Sequence, residues 1–129
     1  MATVRASSPR GFTLIELLVV MSIVALLLTM AMPRYFGSME KSKDAVLLQN
    51  LQTLRTNIDR FYGDKGRYPN DLNELVEARY LRAVPVDPVT ESATTWILDP
   101  PRDPKMTGVY GVKSGAPGVG ANGVPYAQF

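Results

Sequence analysis

The chain has 129 residues, no cysteine, no histidine, and fourteen basic against twelve acidic side chains, a net charge of +2. Without cysteine there is no disulfide framework and no thiolate chemistry, and without histidine the most frequent general acid–base residue is missing. Charge is nearly balanced, and no basic cluster interleaved with aromatics follows Arg34, which speaks against a nucleic-acid partner.

Arg5 and Arg10 precede an apolar run that ends at Met32, and between Gly11 and Met32 the only ionisable side chain is Glu16. At a rise of about 1.5 Å per residue, a helix over this run crosses a hydrocarbon core of about 30 Å. A carboxylate at mid-depth costs roughly 2.5–3.5 kcal/mol on insertion scales, less near the interface, so Glu16 calls for a partner. The basic residues ahead of the span place the N-terminus in the cytoplasm and everything after Met32 outside the inner membrane. Arg34, Lys41 and Lys43 beyond the span work against that bias. Two plainer readings compete for the same residues. Thr13-x-x-Glu16 is a capping-box spacing that would only satisfy backbone N–H groups. An ordinary secretory signal would use Arg5 and Arg10 as its charged region, but Glu16 inside the apolar stretch and the lack of an A-x-A site near Ala31 oppose it.

The segment Arg10-Gly11-Phe12-Thr13-Leu14-Ile15-Glu16 resembles the processing motif of class III signal peptides, found in type IV pilins and in the pseudopilins of type II secretion. The resemblance implies that a prepilin peptidase cuts between Gly11 and Phe12, removing a leader of residues 1–11, and that the same enzyme methylates the amine of Phe12. Pro33 matches the proline that commonly kinks the family's helix. Cleavage would free an α-amino group with an unperturbed pKa of about 7.7–8.0 near a helix start. Within one helix this cation and Glu16 are one turn apart, and between neighbouring molecules they could pair equally well. The resemblance favours pairing between neighbours, as the contact that guides subunits into a filament. Loss of Arg5 and Arg10 with the leader leaves twelve basic against twelve acidic side chains.

Beyond the span, Pro33 and Gly37 should kink or loosen the helix where it leaves the bilayer. Leu47, Leu51, Leu54, Ile58 and Phe61 follow a four-three-four-three spacing, one apolar stripe on a helix running to about Tyr62. Gly63-Asp64-Lys65-Gly66 reads as the turn that ends it. Asn70 is placed to cap a short helix over residues 71–78, with Leu72, Leu75 and Val76 as its apolar face. Residues 80–88 are too proline-rich for an interior strand and read as a loop. Residues 93–98 have strand composition, with Trp96 as core anchor, and residues 108–114 read as a second strand. Residues 115–129 read as mostly loop. The formal G-x-G-x-x-G over residues 118–123 lacks the preceding strand and following helix that a dinucleotide site needs. The expected fold is α+β and pilin-like. A long N-terminal helix, membrane half plus amphipathic half, packs on a small antiparallel sheet; residues 12–32 form the transmembrane or filament-core segment and residues 33–129 the periplasmic globular domain.

Phe61-Tyr62, Arg67-Tyr68-Pro69, Tyr80-Leu81-Arg82, Val84-Pro85 and Asp87-Pro88, followed by a tryptophan-bearing strand, are similar to the globular part of major pseudopilins of type II secretion. This implies a structural subunit, not an enzyme, of a periplasmic pseudopilus that drives export of folded proteins. The implied partners are further copies, other pseudopilins, the prepilin peptidase and methyltransferase, and an inner-membrane assembly platform. A minor type IV pilin or a competence pseudopilin shares the first part of the pattern. A membrane-tethered periplasmic binding module is the alternative from another class, and it has no need of Glu16. Major pseudopilins commonly hold calcium near the C-terminus; the carboxylates after Leu98 are Asp99, Asp103 and the C-terminal group, while Gly111 and Asn122 stand near positions where relatives often have aspartate.

Overall fold

The computed structural model describes residues 10–129. Most of the leader, with Arg5, lies outside the described residues. Helix α1 (Leu14–Lys65) is followed by α2 (Leu72–Glu77), strands β1 (Ile97–Asp99) and β2 (Gly111–Lys113), and a single 3-10 turn over Tyr126–Gln128. The chain divides into two compact units, one ending at Phe36 and the other covering Gly37–Phe129.

In the first unit the helix starts at Leu14, two residues later than the pattern suggested, because Thr13 acts as its cap. Thr13 Oγ1 accepts the Glu16 N–H at 3.2 Å, and the Thr13 carbonyl accepts the Leu17 N–H at 3.2 Å. The two hydroxyls inside the apolar run satisfy themselves along the helix: Ser22 donates to Leu18 O (2.8 Å) and Thr29 to Leu26 O (2.6 Å). Helical backbone continues through Pro33. In the second unit it is helical at Gly37 as well and ends at Lys65.

The second unit has its core along the expected stripe. Leu47, Leu51, Leu54, Ile58 and Phe61 are all fully buried, joined by Leu72, Leu75, Leu81, Trp96, Val109, Val112, Ala116 and Tyr126. Apolar residues at this spacing share one helix face, and burying each contributes about 1.5–3 kcal/mol. The cap of α2 is Asp71 rather than Asn70. Asp71 has extended backbone and its Oδ1 accepts the Glu74 N–H at 2.8 Å, while the Asn70 N–H is itself claimed by Glu74 Oε2 at 2.6 Å. The Glu74 carboxylate thus reaches back beyond the cap, and Arg67 fastens it from the other side. At the far end Arg79 takes a left-handed conformation, with Tyr80 N–H on Leu75 O and Arg79 N–H on Val76 O, the two bonds of a Schellman stop.

β1 and β2 pair antiparallel, with Leu98 opposite Val112. Both strands are shorter than their composition suggested. Over residues 93–95 the polar side chains divert the chain: Thr90 and Thr95 hydroxyls meet at 2.6 Å, and Ser92 Oγ accepts the Thr94 N–H at 3.1 Å. Trp96 does anchor the core, and its Nε1–H donates to Pro85 O at 2.8 Å, so the proline-rich loop is tied to the strand entry. Residues 115–129 contain no strand, yet they supply Ala116 and Tyr126 to the core.

Candidate processing and assembly site

Gly11 and Phe12 stand just ahead of α1 in exposed, non-helical backbone. Open space surrounds the position of a side chain at Gly11, and Phe12 is 88% exposed. The bond between them therefore lies in an accessible segment outside the helix, where a peptidase can reach the backbone. The structure places Arg10, Gly11, Phe12 and Glu16 around one shallow surface depression. The capping reading accounts for Thr13, whose hydroxyl is used. It does not account for Glu16: among the described residues the Glu16 carboxylate has no hydrogen-bond or ion-pair partner. An acid without a partner one turn from Phe12 is chemically available to an amine created at Phe12.

The helix that carries this acid is uncovered. Leu14, Ile15, Leu18, Leu26, Leu27 and Met30 are each more than half exposed, and nothing within the most apolar stretch of α1 is buried. Such a face is stable only in lipid or against other apolar helices.

Asp99 and Asp103 are each engaged within the chain. Asp99 Oδ2 sits 3.4 Å from Lys113 Nζ, and Asp103 Oδ1 accepts the Lys105 N–H at 2.9 Å within a turn closed by Met106 N–H on Asp103 O. One carboxylate is neutralised by a lysine and the other holds its own loop. Among the described residues no group of three or more acidic, histidine or cysteine side chains converges.

The polar side chains that organise the globular unit were not singled out by sequence reasoning. Asp87 is wholly buried and accepts from Val89 N–H (2.8 Å) and Ser114 Oγ–H (2.5 Å). Asp44 Oδ2 accepts the Ala121 N–H at 2.7 Å, and Arg55 donates to Val112 O (3.0 Å) and Phe129 O (2.7 Å). The Asp44 and Arg55 contacts fasten β2 and residues 115–129 onto the helix. Burial, then the Asp44 carboxylate, hold the Tyr126 phenol above its ordinary range. Asp87-Pro88 was the one available signal, since aspartate ahead of proline commonly opens a turn by accepting from the backbone two residues on.

Residues 7–32 match the family profile described as the prokaryotic N-terminal methylation motif. The chain is 31% identical over 100 residues to the type II secretion system core protein G of Klebsiella michiganensis, covering 65% of this chain and 70% of that protein. It is 30% identical over 95 residues to the protein of the same name in Escherichia coli, covering 61% and 66%. It is 38% identical over 66 residues to the type IV major pilin protein PilA of Myxococcus xanthus, covering half of this chain and 30% of the pilin's length. No solved structure matches the chain.

Proposed function

The chain belongs to the family of type II secretion system core protein G, and from that premise we propose that it is a structural subunit of a periplasmic pseudopilus that drives export of folded proteins. Residues 1–11 are the leader, residues 12–32 the filament core and membrane anchor, and residues 33–129 the periplasmic domain. A prepilin peptidase cleaves between Gly11 and Phe12 and methylates the new amine. Before assembly the subunit sits in the inner membrane with its N-terminus cytoplasmic. During assembly it passes from lipid to the growing filament through the inner-membrane platform, alongside other pseudopilins. Pro33 and Gly37 give the helix a place to yield as it leaves the bilayer.

One observation supports this most: the uncovered apolar stretch of α1 up to Met32 carries a single acid, and that acid lies one turn from the cleavage motif with no partner among the described residues. In an apolar setting the carboxylate is stabilised by an opposite charge close by. The Phe12 amine of a neighbouring copy supplies that charge and fixes the axial register. Glu16→Ala removes the pairing without touching the cleaved bond. The expected result is a mature protein beginning at methylated Phe12 that no longer forms sheared fibres. Fibre yield equal to the parent, or a working protein that still carries its first eleven residues, overturns the proposal.

The likeness to the Myxococcus pilin favours a type IV pilin as the second reading. Deleting the gene separates the two: loss of protein export marks the pseudopilus, and loss of surface fibres with export intact marks the pilus.

A further inference from the structure

Residues 119–125 form a small hairpin that the filament reading leaves unused. Val119 and Pro125 bridge antiparallel, the Gly120 N–H donates to Val124 O at 2.8 Å, and the Gly123 N–H donates to Gly120 O at 3.0 Å. Gly123 has φ +81°, the left-handed backbone for which Asn-Gly turns are selected. The same dipeptide is chemically labile, because glycine puts no side chain between its own nitrogen and the preceding carboxamide. Asn122 and Gly123 are both exposed, and Asn122 Oδ1 accepts the Val124 N–H at 3.2 Å.

We propose that Asn122 is a site of spontaneous deamidation whose rate is set by opening of this hairpin. Gly123 N forms a bond to Asn122 Cγ and gives up its proton to solvent, while the Cγ–Nδ2 bond breaks and the nitrogen leaves as ammonia. Water then opens the five-membered imide. Hydrolysis at Cγ leaves aspartate, and hydrolysis at the Asn122 main-chain carbonyl leaves isoaspartate. In the closed hairpin the attacking nitrogen is held by Gly120 O and the carboxamide by Val124 N–H, so both bonds must break first. The Ala121 N–H on Asp44 Oδ2, at 2.7 Å, keeps the hairpin against α1. Conversion therefore proceeds at the intrinsic rate multiplied by the open fraction. The product adds a carboxylate to a cavity of about 290 Å³ already lined by Asp44, with Lys41 and Phe129 on its wall.

The full chain in detergent is incubated in mildly alkaline buffer, with and without urea, and the peptide containing residue 122 is assayed by mass spectrometry for aspartate and isoaspartate. Hydrogen exchange at the Gly123 amide is followed in parallel. The expected result is conversion at residue 122 in both samples, roughly tenfold or more slower in the folded chain, in step with Gly123 exchange as urea is raised. Asn122→Gln, which would need a six-membered imide, remains unconverted. Equal rates in folded and unfolded chains, or no conversion at residue 122 in the folded chain after ten times the period that converts the unfolded chain, overturns the proposal.

Discussion

Asp87→Ala removes the acceptor on which the proline-rich loop and the end of β2 converge. The carboxylate is fully buried and takes two short hydrogen bonds, from Val89 N–H at 2.8 Å and Ser114 Oγ–H at 2.5 Å, plus a long one from Thr90 N–H at 3.4 Å. A hydrogen bond to a charged group contributes about 1.5–3 kcal/mol, and a buried donor left alone costs about 1–3 kcal/mol. Alanine also removes the cost of burying the acid, which offsets part of the loss. Two strong bonds against that relief leave a net destabilisation of about 3 kcal/mol. For a unit the size of Gly37–Phe129, this lowers the thermal midpoint by about 12–24 °C. Circular dichroism melting of that unit, parent against variant, reads the shift directly. A Ser114→Ala cycle should return a coupling of about 1.5–3 kcal/mol, because the two side chains share one bond. A midpoint within about 4 °C of the parent, or additive single effects, would refute the argument that this carboxylate holds the loop.

Three further substitutions probe the same unit. At Gly115 an added Cβ would lie 2.1 Å from Thr95 O, a backbone atom that cannot swing aside. Gly115→Ala should therefore destabilise by about 1–3 kcal/mol in urea titration, whereas Gly63→Ala, in open space on α1, should stabilise by about 0.5–1 kcal/mol. Arg67 first, then the Asn70 N–H, hold the Glu74 carboxyl below its ordinary value of 4.5. A depressed carboxylate contributes stability above its unfolded pKa and loses it as pH falls through the folded value. The melting midpoint should thus drop as pH falls below that ordinary value, and Glu74→Gln should flatten this acid limb while lowering the plateau above it.

Much of the chain was legible because its signals are periodic or local. The stripe from Leu47 to Phe61 is buried residue for residue, since the helical repeat alone sets which side chains share a face. The α+β class, the antiparallel pairing and Trp96 as anchor were legible for a similar reason: composition and turn residues bound each segment. Cap and strand limits were less so. Asn70 and Asp71 are equally good caps by type, and the choice fell to Asp71 because Glu74 and Arg67 together claim the Asn70 side of the turn. The strands shortened because the Thr and Ser hydroxyls around residues 90–95 bond one another and the backbone.

The sequence by itself determined the N-terminal methylation motif, the apolar run and the isolated acid at Glu16, because each is a property of consecutive residues that no folding step can rearrange. Only the tertiary structure decided that Asp44, Arg55 and Asp87 are fasteners rather than solvated charges. Their partners lie 77 residues away at Ala121, 57 and 74 away at Val112 and Phe129, and 27 away at Ser114. A carboxylate or guanidinium takes its role from whichever donor or acceptor burial brings beside it, and no spacing along the chain encodes that neighbour.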